Sequence, residues 1–119
     1  DEAGLKTQKA REDAAKEKLY SLLPEDQRGE LIALFDEFEA NETPEARYAH
    51  AMDNLQPLLL NDSNGGGDWT GHQVTAEQVY RRQSKTALGS RTLFEVSDAI
   101  IRKNIREGRI RPYSEEQKF

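Results

Sequence analysis

Three observations predict an all-α fold of about five helices. Apolar residues recur at helical spacing in several separate runs, and those runs are bounded by capping residues, prolines and glycines. Apolar and polar residues nowhere alternate for long, and the chain holds only three Val and five Ile, so no sheet is required. No internal repeat and no sustained heptad pattern is present, which excludes a solenoid and a coiled coil.

The first helix is expected over residues 4–23. Its apolar positions, Leu5, Leu19, Leu22 and Leu23, gather at the ends and leave a charged, solvated middle. Pro24 opens the second helix, where Glu25 and Asp26 suit the positive end of the helix dipole. Leu31, Leu34, Phe35 and Phe38 form its stripe and are expected to be buried, and the helix should end near Ala40 and Asn41. Glu37 and Glu39 stand in its last turn, against the dipole. They read as solvated acids or as contacts to substrate or metal.

The third helix, within TPEARYAHAMDNLQPLLLN at residues 43–61, is the most apolar stretch of a polar chain. Thr43 is the N-cap and Pro44 the first helical residue, where a missing N–H costs nothing. Tyr48, Met52, Leu55 and Leu59 make one stripe; Ala46, Ala49, Asp53, Pro57 and Leu60 make its neighbour. With apolar residues around much of its circumference, this helix is expected to be largely buried. Asp53 would then need a partner, because a buried carboxylate is costly unless it is paired, hydrogen-bonded or bound to a metal. Pro57 withdraws the donor that the Asp53 carbonyl would use, so a kink is expected there. Spacing leaves two readings open: an acid satisfied by an Arg or by backbone donors, or a functional acid.

Residues 61–72, NDSNGGGDWTGH, read as an ordered loop docked by Trp69, the only tryptophan. Its GGG is not a phosphate loop, since no Gly-Lys-Ser/Thr follows and no strand precedes. Thr75-Ala76-Glu77-Gln78 fits a capping box, with Val74 and Val79 as its staple, and starts a helix over about 76–84. A break at 85–89 leads to Ser90 or Thr92 as the next N-cap. The last helix carries Leu93, Val96, Ile100, Ile101 and Ile105, ends at Gly108, and is followed by PYSEEQKF, a tail expected to fray.

Composition narrows the function classes. The 119 residues are 35% hydrophobic and 33% charged, a lean supply for one core, so some apolar helix faces are expected to meet a partner. The expected cover is a missing segment of the same protein or a second copy in a homodimer. Without cysteine there is no disulfide, zinc-thiolate site or thiol nucleophile, and any metal must be held by His, carboxylate and water. A net charge of −5 argues against nucleic acid and anionic membrane as partners. Locally, Arg102, Lys103, Arg106, Arg109 and Arg111 complement the end of a helix or bind an anionic group. No signal peptide or membrane-spanning run of ~20 apolar residues is visible, so a cytoplasmic protein is expected. Residue 1 is Asp, which fits a piece of a longer protein.

Two histidines remain. His50 lies three residues before Asp53, on nearly the same side of the helix, where the two would hydrogen-bond or share a metal. His72, beside the glycines, would cap or orient the following helix or serve a site. No G-x-S-x-G elbow supports acyl transfer.

The run LFDEFEANETPEARYAHAMDNLQPLLLN, then G-x-W-x-x-H-x-V and a final amphipathic helix, resembles the C-terminal half of the HD-domain metal-dependent phosphohydrolases, nearest their 5′-deoxynucleotidase-like branch. TPEAR and DNLQP are its most specific parts, and the likeness extends over roughly residues 5–111. The resemblance implies a divalent metal (Mn, Mg, Co, Zn or Fe) held by a His, a His-Asp doublet and a distant Asp. Asp53 matches that last ligand. The earlier ligands have no counterpart, since the chain contains no His-Asp dipeptide. The resemblance therefore implies the C-terminal part of an enzyme acting on a phosphate monoester, with deoxynucleoside 5′-monophosphates as the expected substrates and the 119 residues inactive alone. A non-catalytic helical module for oligomerisation is the alternative.

Overall fold

The computed structural model of the chain describes residues 2–113 and is all-α. Its order is α1 (Glu2–Tyr20), α2 (Glu25–Ala40), α3 (Pro44–Ser63), α4 (Gly67–Gly71), α5 (Ala76–Gln83), α6 (Thr86–Gly89) and α7 (Arg91–Arg106). The five expected helices are α1, α2, α3, α5 and α7. Among the described residues there is no strand, only an isolated parallel bridge between Thr75 and Arg111. No described helix is long and apolar enough to cross a membrane. The chain divides into two compact units, Asp1–Glu39 and Ala40–Phe119.

In the first unit, Arg28 at the start of α2 donates to the carbonyls of Tyr20, Ser21 and Leu23, each at 3.1 Å. It thereby satisfies carbonyls that the end of α1 leaves without helical donors. Lys16 reaches across to Asp36 at 2.8 Å and Glu39 at 3.5 Å, and lies 4.6 Å from the centre of the Phe35 ring. Tyr20 meets the same ring edge-on. The expected burial of the α2 stripe is not observed: Leu31, Leu34 and Phe35 are exposed, Phe38 is half-buried, and α2 contains no buried residue. Its partner within the unit is the reason. The middle of α1 is charged, so α2 receives the stem and ammonium of Lys16 where a hydrophobic face would be needed to cover it.

The second unit is built on α3. Thr43 accepts from the Ala46 N–H at 3.2 Å as N-cap, and Pro44 is the first helical residue. Leu55 and Leu58 join Trp69, Ala76, Val79, Ile101 and Ile110 in the core. The helix α6 lies close against α3 because Gly89 has no side chain: a Cβ there would run into the Arg47 carbonyl and stand 3.0 Å from the Ala51 Cβ. Thr75 and Gln78 form the expected capping box of α5, and Ser90 caps α7 through the Leu93 N–H. Gly108, at φ 74°, ends α7 and turns the chain back so that Ile110 enters the core. Backbone bonds from Arg111 N to Val74 O and from Ala76 N to Arg111 O then bind this return to the start of α5.

Two short helices occupy segments expected to be irregular. The chain turns through Gly65 and Gly66, both at positive φ, and Asn64 Oδ1 then accepts from the Gly67 N–H at 3.1 Å to start α4. Trp69 on this helix is buried, as expected for a docked segment. At 86–89 the buried Thr86 hydroxyl donates to Gln83 Oε1 and fixes a single turn. Residues 114–119, on which most of the expected frayed tail falls, lie outside the described residues. Tyr113 just before them stacks on Tyr80, with ring centres 6.2 Å apart.

Candidate functional site

Asp53 lies in the middle of α3 and is exposed to solvent. The expectation that apolar neighbours bury it is corrected by the way α3 is covered. The helices α5, α6 and α7 pack on one side only, burying Ala46, Ala51, Leu55 and Leu58. The other side, with Tyr48, Met52, Leu59 and Leu60, faces solvent, and Asp53, one residue after Met52 and two turns before Leu60, is exposed at its edge. Water takes the place of the partner that burial would demand. Across Pro57 the helix continues to Ser63, and Gln83 Nε2 donates at 2.9 Å to the neighbouring Asn54 carbonyl.

His50 is half-buried one turn before Asp53. His72 is exposed and closes α4 through its backbone N–H, which donates to the Asp68 carbonyl at 3.1 Å. The acids at the end of α2 belong to the first unit: Glu39 pairs with Lys16, and Glu37 is half-buried. The C-terminal basic residues are largely committed within the fold. Arg102 bonds Asp98 at 2.9 Å, Lys103 bonds Asp62, and Arg109 donates to Asn104 at 3.1 Å.

Among the described residues, no three His, Cys, Asp or Glu side chains converge so as to hold a metal ion. Asp53, with His50 one turn away, provides at most part of a coordination shell, so these residues alone do not fit a divalent metal. A ligand role for Asp53 thus requires further groups from beyond them.

Beside Asp53 the structure shows a feature missed in the sequence reading. A cleft of about 480 Å³ opens between α3, α4 and α5, walled on the α3 side by Asn54, Pro57, Leu58 and Asn61. These positions follow the i, i+3, i+4, i+7 spacing of one helix face, so the signal was present but hidden under the apolar stripes. Trp69, Arg82 and His72 line it from the other elements.

Comparison with known proteins gives this helical frame a family. A model of the HD domain matches residues 1–93. No curated protein matches the chain. Among solved structures, the crystal structure of a predicted metal-dependent phosphohydrolase from Magnetospirillum magnetotacticum MS-1 matches with a TM-score of 0.80 at 40% sequence identity. The match covers 86% of this chain and 52% of that one, so the chain spans about half the length of that protein. The family model covers well over half of the chain, and the chain belongs to the HD-domain family.

Proposed function

We propose that these residues form the C-terminal part of a divalent-metal-dependent phosphohydrolase that cleaves phosphate monoesters, with Asp53 as one metal ligand. Deoxynucleoside 5′-monophosphates are the proposed substrates. The observation that carries the reading is the position of Asp53: an exposed acid, on a helix matched to the HD family, at the edge of an apolar face that no described residue of its own unit covers. Such a face fits a helix meant to be covered by more of the domain, and covering it would enclose the carboxylate and remove its water. An enclosed carboxylate is then stabilised by a cation. When bound, a divalent metal lowers the pKa of a coordinated water and neutralises charge on the phosphate. Asp53 would supply negative charge and an oxygen ligand, and the apolar side chains at its flank, Leu60 and Met52 first, would help exclude bulk water once covered. The likeness to the predicted metal-dependent phosphohydrolase from Magnetospirillum, of which the match covers only 52%, supports further ligands outside the described residues.

Metal analysis and phosphate release from nucleoside monophosphates test this reading on the longer protein, on its Asp53→Asn form and on the 119 residues. The longer protein should hold metal and turn over. The Asn form should lose turnover by about two or more orders of magnitude while keeping its helical signal. Full metal content and activity in the Asn form would return Asp53 to a solvated surface acid.

A further inference from the structure

We propose that the cleft between α3, α4 and α5 is a binding site for a planar nitrogen heterocycle carrying an anionic group, separate from the metal position at Asp53. Its volume of about 480 Å³ falls within the range of small-ligand pockets, roughly 300–1,000 Å³. Leu58, Trp69, Val74 and Val79 give it an apolar wall. The indole of Trp69 is held in place by core packing, which makes it a rigid surface for an aromatic ring.

The polar groups define the rest of the ligand. The Oδ1 of Asn61 is shielded from solvent and accepts no hydrogen bond, while its Nδ2 is already spent on the Pro57 carbonyl at 3.1 Å. An amino N–H carried on the ring, such as the exocyclic amino group of adenine, would satisfy that oxygen, and the Asp68 carboxylate on α4 adds a second acceptor. On α5, Arg82 is exposed and makes no hydrogen bond or ion pair with any described residue, unlike Arg28, Arg102 and Arg109. A free guanidinium at the mouth of a mixed cleft suits a phosphate or carboxylate on the ligand. The site is also prebuilt. Gln78 is fixed by the capping box and Gln83 by bonds to Asn54 O and Thr86, so little side-chain ordering is left to oppose binding. Asp53 does not line the cleft, so occupancy does not depend on metal.

The test uses the single indole N–H resonance of Trp69, followed by NMR in the presence of EDTA with adenosine 5′-monophosphate, adenosine and inorganic phosphate as probes. The monophosphate should shift that resonance saturably, with half-saturation below about 1 mM. Adenosine should bind about tenfold more weakly, and inorganic phosphate should leave the resonance in place. Arg82→Gln should bring the monophosphate down to the affinity of adenosine, and Asn61→Leu should weaken both. A shift linear in ligand, equal affinity for monophosphate and adenosine, or variants that match the parent would each overturn the proposal. Arg82 is exposed, so its variant should keep the parent's circular dichroism; if it does not, the Asn61→Leu and adenosine arms decide. Because metal is chelated throughout, failure here leaves the role of Asp53 untouched.

Discussion

Asp62 accepts a hydrogen bond from Lys103 Nζ at 2.8 Å, which joins the end of α3 to the last turn of α7 across 41 residues of sequence. The same carboxylate accepts from Asn104 Nδ2 at 2.8 Å, and Asn104, fully buried, in turn accepts from Arg109. The Lys103 hydrogen bond, followed by that of Asn104, holds the Asp62 carboxyl below its ordinary value of 3.8. A folded pKa below the unfolded one contributes stability above the unfolded value and loses it as pH falls through the folded value. The thermal midpoint should therefore drop as pH is taken below about 4, and Asp62→Asn should flatten that dependence. At neutral pH, Asp62→Ala should cost about 1–3 kcal/mol, read by urea unfolding, because it strips a partly buried network of its shared acceptor.

Tyr80 gives a complementary signal at high pH. Burial first, and then the Asp98 carboxylate that accepts from its hydroxyl at 2.6 Å, push the phenol up to about 12 from 10.0. The stability this contributes is fully present below pH 10 and is lost as pH rises through the folded value. In an ultraviolet titration of the four tyrosines, one should ionise last. Asp98→Asn removes the carboxylate's share of the shift and should bring that step earlier.

Gly89 is expected to resist substitution. A methyl group at this position would collide with the Arg47 carbonyl, which is backbone and cannot swing aside, and would press on Ala51. Gly89→Ala should therefore destabilise the second unit by about 1–3 kcal/mol even though alanine is the better helix former. A variant as stable as the parent would show that α6 is free to lift from α3.

These cases mark what was legible in the chain. Local signals held well: the Thr43, Thr75 and Ser90 caps, Pro44 at the first helical position and Gly108 at the end of α7 all act over a few residues and leave a direct trace in sequence. Long-range relations did not. The Asp62 to Lys103 bond and the collision awaiting a side chain at Gly89 depend on which helices meet, which local pattern does not encode. Which helix faces are covered was not legible either. Periodicity shows that Leu34, Phe35, Met52 and Leu59 share helix faces with other apolar residues, but not whether anything is present to cover them. For Asp53, residue type and motif were readable, while its exposure followed from one-sided packing on α3.

That one-sided packing can be measured by a pair of truncations. Leu55 is 5% exposed and Leu59, four residues on, is 45% exposed. Leu55→Ala should cost about 2–5 kcal/mol, whereas Leu59→Ala in the same chain should cost under about 1 kcal/mol. Equal losses would mean that the Leu59 face is covered in solution.

Association is the last expected consequence of that open face. Tyr48, Met52, Leu59 and Leu60 lie exposed on α3, and burying such side chains gains roughly 25 cal/mol for each Å² removed from water. Four side chains on one helix make a patch larger than isolated surface leucines, and a second copy is the nearest available cover when the 119 residues are studied alone. Sedimentation velocity should then show a mass that rises with concentration. Leu59→Lys should shift it towards monomer, because the charge must stay hydrated and opposes burial of the patch, while its exposed position leaves the fold intact. In the longer protein proposed above, where the rest of the domain would occupy this face, the same substitution should instead lower stability and leave the mass unchanged. A strictly monomeric chain at high concentration, with Leu59→Lys indistinguishable from the parent, would show that the patch neither seeks nor needs a partner.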